Sequence, residues 1–375
     1  MLPRVAMRSS TFTRVVLAAI TVLASAACGS SEVQQGYWQG NAADAGPRAD
    51  AGESLEGIYP TSDPDPESAP HDAPTFEATT PPPSTGPFAC TGGSKTLTSG
   101  ERTVTITSGG LPRTAIVHVP QSYDPTKGTM LVFNFHGFTS DGLEQMVISR
   151  MNPASESKNF VVVYPFGVGN SWNSGDCCGD SWTGGVDDVA YVKALLAKLS
   201  ADYCVDPKRI YASGFSNGGF FSYRLACEMS DVFAAVAPVS GVEGFPATQC
   251  TPTRAVPVLH FHGTSDPVVK YNGGTPIIPL DITAGISFRS VNETISIWRT
   301  KDVCLANAKT IFDHGDTKCV DYGSCKDGAQ VTLCTIDGGG HTWPGGVPIP
   351  FLGKTSSSVS ATDTMVRFFQ AHPLP

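Results

Sequence analysis

Two patterns of apolar residues alternate along the chain beyond about residue 100. Near-continuous apolar runs are typical of strands buried on both faces of a sheet, and they occupy residues 130–136, 160–165, 209–214, 234–241 and 256–263. Two of the stretches between them, 187–203 and 218–229, are predicted to be helices. This alternation of strands and helices indicates a parallel sheet with helices on both faces.

A hairpin precedes the parallel part. Residues 103–109 and 114–120 are rich in β-branched residues at every second position and flank Gly109, Gly110 and Pro112, which predicts two antiparallel strands joined by a tight turn. The expected fold class is therefore α/β, with a doubly wound, mostly parallel sheet and an N-terminal antiparallel hairpin. In such sheets reactive groups collect on the loops beyond the carboxyl ends of the strands.

The first 28 residues have the pattern of an export signal. Three arginines and no acid precede an apolar stretch, 15–27, that ends in small residues before Cys28. This stretch is shorter than the roughly 20 apolar residues that a membrane-spanning helix needs. Small residues before a cysteine are also typical of bacterial lipoprotein signals, although Ser25 stands where such signals usually have leucine. We therefore expect an extracellular protein, with lipidation of Cys28 as a surface anchor and plain secretion as the two alternatives.

Residues 29–88 have the composition of a solvated, disordered linker. They carry ten acidic residues against one basic residue, Arg48, and too few apolar residues to offset the entropy of ordering. Much of the net charge of −9 of this 375-residue chain therefore lies outside the expected folded domain, residues 89–375. An acidic chain with only 16% charged residues is not expected to bind nucleic acid.

Ten cysteines remain when Cys28 is set aside. Export to an oxidising compartment favours pairing of such thiols, here into as many as five disulfides. The sequence has no C-x-x-C pair of the kind that binds zinc, so we expect neither a metal nor an organic cofactor. Spacing leaves the connectivity open, but a ring between adjacent cysteines is strained, and Cys177 and Cys178 are expected to bond to other segments. The disulfide candidates are Cys90, Cys177, Cys178, Cys204, Cys227, Cys250, Cys304, Cys319, Cys325 and Cys334.

Residues 214–218, GFSNG, form the pattern of a nucleophile elbow. They follow a predicted strand and precede a predicted helix, and glycine at both ends permits a turn that lifts Ser216 out of the sheet. The amino end of the helix offers N–H groups to a developing oxyanion. Ser216 could instead simply cap the helix, but the strand-turn-helix context favours a nucleophile.

A serine nucleophile needs a histidine base and a carboxylate that orients the base. In this architecture the acid and then the base follow the nucleophile along the chain. Asp266 comes just after a predicted strand, and Asp337 is the weaker candidate. His341 follows a predicted strand and three glycines, whereas His314 lies in a polar run typical of the surface. The predicted triad is Ser216, Asp266 and His341.

Two backbone N–H groups are expected to bind the oxyanion of the tetrahedral intermediate. We assign them to Asn217 and to Phe138, which follows a predicted strand, with the His136 side chain supporting the Phe138 loop. Flat aromatic faces beside the site are candidates for stacking on a substrate. Trp343, two residues from the proposed base, and Trp172 are the candidate substrate contacts, and Trp182 is a third loop tryptophan beside the motifs.

Six strings carry a resemblance to a known family: FNFHG, GNSWNSGDCCG, VDDVAYV, RIYASGFSNGGFFSYRLAC, LHFHGTSDPVV and GGGHTWPGG. From about residue 95 to its end, the chain resembles the secreted esterase family that includes poly(3-hydroxybutyrate) depolymerases and the feruloyl and acetylxylan esterases of carbohydrate esterase family 1. The resemblance implies an α/β-hydrolase fold with the same three triad residues. It also implies the disulfides Cys227–Cys250, Cys304–Cys325 and Cys178–Cys204, which leaves Cys319–Cys334 and Cys90–Cys177.

The residues and the resemblance together predict an exported serine carboxylic ester hydrolase that acts through an acyl-enzyme. Its expected substrate is a hydroxycinnamoyl or acetyl ester on xylan or, alternatively, a hydroxyalkanoate polyester such as polyhydroxybutyrate. Contact with a membrane is expected only through a lipid anchor at Cys28. Two other functions remain open, a serine peptidase on the same fold and a non-catalytic surface lipoprotein that retains the fold.

Overall fold

The structure, a computed structural model, describes Pro74, Phe76 and residues 88–90, 99–276, 286–305 and 307–375. The predicted signal 1–28, including Cys28, and most of the predicted linker 29–88 lie outside these residues. Each helix that is described is too short or too polar to cross a lipid bilayer.

The described strands form one mixed sheet in the order β1-β2-β4-β3-β5-β6-β7-β10-β9-β8. Strands β4, β3, β5, β6, β7 and β10 are parallel, and antiparallel hairpins, β1–β2 and β8–β9, form the two edges. The predicted mostly parallel sheet with an N-terminal hairpin is confirmed. The strands are β1 (Gly100–Ser108), β2 (Leu111–Val119), β3 (Thr129–Phe135), β4 (Phe160–Pro165), β5 (Val205–Phe215), β6 (Ala235–Val239), β7 (Val258–Gly263), β8 (Lys309–His314), β9 (Thr317–Asp321) and β10 (Val331–Ile336).

The described helices pack on both faces of this sheet. The predicted helices 187–203 and 218–229 correspond to α4 and α5, and Asp187 starts α4 by accepting a hydrogen bond from the Ala190 N–H. The helices are α1 (Gly142–Ser149), α2 (Met151–Lys158), α3 (Gly179–Thr183), α4 (Asp188–Asp202), α5 (Asn217–Glu228), α6 (Val291–Lys301) and α7 (Ala361–Ala371).

Strand β3 shows why the central strands are mostly apolar and buried at every position. Its alternate residues Leu131, Phe133 and Phe135 pack into a core with α4, α5 and α6. Met130 and Val132 point the other way, into a second core with α1, α2 and α7. Because successive side chains of a strand point to opposite faces, a strand between two cores is buried throughout.

Two residues of the predicted linker pack against the folded domain. Pro74 is buried, and the Phe76 ring lies 5.1 Å from the Phe368 ring of α7 in an edge-to-face arrangement. Part of the segment expected to be disordered is therefore seated on the second core.

Three of the five expected disulfides are confirmed: Cys227–Cys250, Cys304–Cys325 and Cys319–Cys334. The other two pairings are wrong, since Cys90 bonds to Cys204 and Cys177 bonds to Cys178. Cys90 reaches Cys204 because the Cys90 N–H donates to Thr126 O and the Thr129 N–H donates to Cys204 O. These bonds align residues 88–90 with the residues just before β5. The adjacent cysteines, which we expected to bond to other segments, both lie on the buried loop after β4 and pair with each other.

Candidate active site

Ser216 lies in a one-residue turn between β5, which ends at Phe215, and α5, which begins at Asn217. Its backbone has φ 53° and ψ −119°, a region that residues other than glycine rarely adopt and that is associated with functional strain. The flanking glycines are required by close contact. A Cβ on Gly214 would lie 2.8 Å from Phe135 O, and one on Gly218 would lie 2.6 Å from His136 O. The sequence GFSNG therefore folds into the predicted strand-turn-helix elbow.

Asp266 and His341 meet beyond the carboxyl ends of two neighbouring strands, β7 and β10. His341 Nδ1 lies 2.7 Å from Asp266 Oδ2, and both side chains are buried. Asp266 Oδ1 accepts hydrogen bonds of 2.8 Å from the N–H groups of Val268 and Val269. With Nδ1 donating to the carboxylate, Nε2 on the opposite side of the His341 ring is the nitrogen that can accept a proton.

Burial is the largest influence on the pKa of the Asp266 carboxyl group, and it favours the neutral form. Attraction to His341 and its hydrogen bond, the nearby His262 and the Val268 amide outweigh this influence and hold the pKa of Asp266 below its ordinary value. The carboxylate is therefore charged at neutral pH. It can stabilise the imidazolium that forms when His341 takes up a proton.

The sheet brings the Ser216 turn toward this pair. Strands β5, β6, β7 and β10 are consecutive in the sheet, so their carboxyl ends lie at one edge. The Phe215 ring, next to Ser216 in the chain, lies 4.8 Å from the His341 ring. The three predicted triad residues thus gather on one rim, and Ser216 is 8% exposed.

The predicted oxyanion amides lie beside the same turn. Asn217 is the first residue of α5, so its N–H has no acceptor within the helix. Phe138 follows β3, and its N–H donates to no backbone carbonyl of the described residues. A Cβ on Gly137 would lie 3.4 Å from Ser216 Cβ, which places the Phe138 loop directly against the nucleophile.

His136 supports this loop, as expected. Its Nδ1 lies 2.7 Å from Gly137 O, and its Nε2 accepts a 2.9 Å hydrogen bond from the Gly167 N–H. Burial, only partly opposed by its hydrogen bond to Gly137, lowers the pKa of His136 to about 4. The imidazole is therefore neutral and serves as a structural link between the loops after β3 and β4.

Trp172 is a structural residue and not the substrate contact that we expected. Its side chain is fully buried, and its indole N–H donates to His136 O at 3.0 Å. The Asn217 side chain makes two hydrogen bonds with the backbone of Trp172. It accepts from the Trp172 N–H at 2.7 Å and donates to Trp172 O at 3.0 Å. Trp172 therefore supports the loop of His136 and Phe138 from the core of the protein.

Trp343 is also buried, in contrast to its expected contact with substrate. Its indole N–H donates to Thr362 Oγ1 at 3.0 Å, at the start of α7. Two aromatic side chains on segments next to the Ser216, Asp266 and His341 loops are exposed: Phe351, 67% exposed, and Trp182, 37% exposed. Phe351 lies in the short run after HTWPGG in which prolines and apolar residues alternate. This run is the feature of the sequence that could have indicated an exposed apolar segment beside His341.

Both exposed aromatics are tied to the catalytic loops. Leu352 O, one residue beyond Phe351, accepts a 2.8 Å hydrogen bond from the backbone N–H of His341. Trp182 lies on α3, whose Gly179 approaches the Phe138 ring so closely that a Cβ there would lie 2.6 Å from it. The segment that carries Phe351 is therefore bonded to His341, and the helix that carries Trp182 packs against Phe138.

A buried ion pair, which the sequence analysis missed, holds the Trp172 loop from behind. Arg113 on β2 donates to Asp188 Oδ1 at 2.7 Å, and Asp188 Oδ2 accepts from the Asn173 N–H at 2.8 Å. Burial raises the pKa of Asp188 even though Arg113 and Asn173 oppose it. Asp188 lies at a helix start, where an acid is common for local reasons alone, so its pairing was not readable from the sequence.

One group of side chains within the described ranges has the spacing of metal ligands: Cys227, Glu243 and Cys250. The two cysteines form a disulfide with each other, so their sulfurs are not thiolate ligands. Glu243 accepts hydrogen bonds from the Phe245 N–H and the Trp298 indole. This group is a structural cluster behind α5.

Three similarities to known sequences bear on this site. The family described as Esterase PHB depolymerase matches residues 124–278, a span that contains Ser216 and Asp266. Feruloyl esterase B of Piromyces equi is 34% identical over 238 residues, which make up 61% of this chain but only 42% of that protein. The putative esterase NocK of Nocardia uniformis subsp. tsuyamanensis is 32% identical over 259 residues, 64% of this chain and 74% of that protein.

Among solved structures, the acetyl xylan esterase from Aspergillus awamori has a similar fold. The TM-score is 0.51 at 16% identity, and the match covers 72% of this chain and 99% of that one. Together with the observed sheet, this similarity confirms the predicted α/β-hydrolase fold.

Proposed function

Because this chain belongs to the esterase PHB depolymerase family, we propose that it is a serine carboxylic ester hydrolase. The observation that carries the proposal is the buried 2.7 Å hydrogen bond from His341 to Asp266, on the rim where the strained Ser216 turn projects. The assigned catalytic residues are Ser216, His341 and Asp266, with the amides of Phe138 and Asn217 as the oxyanion donors.

In the first half-reaction, Ser216 Oγ attacks the ester carbonyl while His341 Nε2 takes its proton. Asp266 holds the ring with Nδ1 protonated and stabilises the imidazolium. The carbonyl oxygen becomes an oxyanion that the two amides bind. When the tetrahedral intermediate collapses, the bond to the alcohol breaks and His341 returns its proton to the leaving oxygen.

The second half-reaction repeats these steps with water. His341 takes a proton from a water molecule, which attacks the acyl-enzyme carbonyl, and a second oxyanion forms in the same position. Collapse of this intermediate breaks the bond to Ser216 Oγ, which recovers its proton from His341. The products are a free acid and an unchanged enzyme.

The exposed rings of Phe351 and Trp182 favour an ester with an aromatic acyl group, because aromatic faces stack well on one another. The names of two similar proteins, a feruloyl esterase and an acetyl xylan esterase, support esters of plant polysaccharide. We therefore propose a hydroxycinnamoyl ester as the preferred substrate, with acetylated xylan and hydroxyalkanoate polyester as the alternatives to be tested in parallel.

The test is a parallel assay of the full chain on methyl ferulate, acetylated xylan and hydroxybutyrate oligomers. We expect the highest kcat/KM on methyl ferulate and no turnover of any substrate by Ser216→Ala. A preference for the oligomers would replace the proposed substrate class. Cleavage of peptides without hydrolysis of esters would refute the function, as would a chain that neither turns over esters nor reacts with a fluorophosphonate at Ser216.

We extend the proposal to export of the folded domain, residues 89–375, with 1–28 as its signal and 29–88 as its linker. A lipid on Cys28 is the form of anchor that this proposal allows, and plain secretion is the other. Mass spectrometry of the mature N-terminus after bacterial expression distinguishes them. A mature chain that retains residues 1–27 would refute export by this signal.

A further inference from the structure

Behind Asp266, three buried side chains form a continuous chain of hydrogen bonds. Tyr223 Oη lies 2.7 Å from His260 Nδ1, His260 Nε2 lies 3.0 Å from His262 Nδ1, and His262 Nε2 lies 2.7 Å from Val269 O. Tyr223 comes from α5. His260 and His262 are two positions apart on β7 and therefore share one face of the strand.

The last acceptor in this chain fixes the proton positions in all of it. Val269 O can only accept, so His262 must carry its proton on Nε2. In a neutral ring the other nitrogen, Nδ1, is then an acceptor, and His260 must donate to it from Nε2. The same reasoning makes His260 Nδ1 an acceptor and Tyr223 the donor.

The surroundings favour the neutral form of both rings. Burial lowers the pKa of His260 and also that of His262, although Asp266 and Val269 O oppose the effect at His262. A charged His262 would carry a proton on Nδ1, directed at a nitrogen that already donates to it. Asp266 therefore faces one ring that can become charged, His341, and one that is held neutral.

Val269 connects this chain to the catalytic carboxylate. Its O accepts from His262, while its N–H donates to Asp266 Oδ1 at 2.8 Å. His262 Nε2 is also 3.5 Å from Asp266 Oδ2, the oxygen that accepts from His341. The His262 side chain, at the end of β7, therefore holds the Val269 end of the turn from Gly263 to Val269.

We propose that His262 is a positioning residue, held as the Nε2–H tautomer by His260 and Tyr223, that fixes the 263–269 turn so that Asp266 faces His341. This inference rests on the proposed function, because the position of Asp266 matters to the reaction only if His341 is the base.

The first test compares His262→Gln with His262→Asn in the full chain, with p-nitrophenyl acetate as substrate. The glutamine amide reaches the position of Nε2 and keeps a donor for Val269 O, whereas the shorter asparagine ends near Nδ1 and leaves that oxygen without a donor. We expect His262→Asn to lower kcat about tenfold or more with little change in KM, and His262→Gln to restore most of the rate. Equal losses in the two variants would show that the ring only fills space and would overturn the proposal.

The second test asks whether His262 acts through Asp266. We expect His262→Asn to change kcat by less than about twofold in an Asp266→Asn background, because the residue on which it acts is already disabled. A structural role independent of Asp266 would lower kcat by the same factor in both backgrounds, and that result would overturn the proposal. Should His262→Asn fail to fold, Tyr223→Phe replaces it, and an unchanged kcat in Tyr223→Phe would count against the chain.

The tautomer itself can be measured in the unaltered protein by ¹⁵N NMR of labelled histidine. We expect His262 to be neutral and protonated on Nε2 at pH 7, and a proton on Nδ1 would overturn the proposal. The Ser216→Ala variant distinguishes failure of the proposed function from failure of the positioning role of His262. If Ser216→Ala stays active, the proposed function is wrong, whereas an inactive Ser216→Ala together with a fully active His262→Asn refutes the positioning role alone.

Discussion

Replacement of Gly218 by alanine tests whether the elbow and the oxyanion loop depend on one close contact. The new Cβ would lie 2.6 Å from His136 O, and closer still to Phe135 O, whereas real Cβ atoms essentially never approach within 3.0 Å. His136 O must therefore retreat by at least about 0.4 Å. This carbonyl lies two residues before the Phe138 amide, and catalytic groups tolerate displacements of only about 0.5 Å.

The expected result is a loss of both rate and stability. Overpacking of this size costs about 1 to 3 kcal/mol of unfolding free energy. Displacement of an oxyanion donor by a fraction of an ångström should lower kcat by roughly ten- to a hundredfold, since a 1 Å error costs about a hundredfold. Steady-state kinetics on p-nitrophenyl acetate and thermal unfolding measure the two effects.

Gly219→Ala is the matched control one position further along the helix. Its Cβ would meet three backbone atoms at 3.1 to 3.3 Å, the nearest being Val239 O, so these atoms need to move by at most a few tenths of an ångström, less than Phe135 O must move in Gly218→Ala. We expect nearly unchanged kcat and a change in stability below about 1 kcal/mol, within the range set by the helix propensity of alanine over glycine. Equal effects of the two alanines, or an unimpaired Gly218→Ala enzyme, would refute the steric argument.

Three further predictions concern stability and substrate. Arg113→Met leaves Asp188 buried without its cation and should lower the unfolding free energy by about 3 to 5 kcal/mol in a urea titration; a loss below 1 kcal/mol would contradict the pairing. Burial raises the pKa of Glu243 from 4.5 to about 7, so the folded chain keeps a proton that the unfolded chain releases. The contribution of Glu243 to the unfolding free energy is complete below pH 4.5 and is lost as the pH rises through 7, a fall of about 3 kcal/mol. Glu243→Gln should remove this fall, and parallel plots of unfolding free energy against pH for the two proteins would refute the prediction. Phe351→Ala should lower kcat/KM on methyl ferulate about tenfold while sparing p-nitrophenyl acetate, and the equally apolar control Leu305→Ala, at an exposed leucine after α6, should change neither.

The fold was predictable from the sequence wherever a strand lies between two cores. Runs such as 130–136 are apolar at nearly every position because each face of β3 meets its own set of helices. The edge hairpin β8–β9 gave no such signal. Its first strand is half-buried at best, with polar residues at most positions, so no apolar run distinguishes it from a loop.

The loops that carry the proposed triad were predictable because local turns determine their positions. Glycines on both sides of Ser216 and three glycines before His341 mark the loops at the ends of strands, and chain order then separates the acid from the base. The roles of Trp172 and Trp343 were not predictable, because a tryptophan beside a catalytic motif has the same neighbours in sequence whether its ring points outward or inward. The inward direction is set by partners far away in the chain, Asn217 and Thr362.

Two of the five disulfide pairings were wrong, and for Cys90 the reason is the same. Cys90 and Cys204 are 114 residues apart, and their meeting depends on the short stretch before β3 that aligns residues 88–90 with the end of α4. Cys319 and Cys334 lie opposite each other on the neighbouring antiparallel strands β9 and β10, a pair that the sequence assigned only by elimination.

The hydrogen bond from the His341 backbone to Leu352 has a consequence for how this protein can change. His341, the proposed base, and Phe351, the most exposed aromatic ring among the described residues, share one short segment of chain, so we expect mutations that reshape substrate preference there also to disturb proton transfer. Trp182 sits on a separate helix with no such link to the base. Variants altered between residues 347 and 352 should therefore gain selectivity only at the expense of proton transfer, whereas variants altered around Trp182 should instead disturb the Phe138 loop.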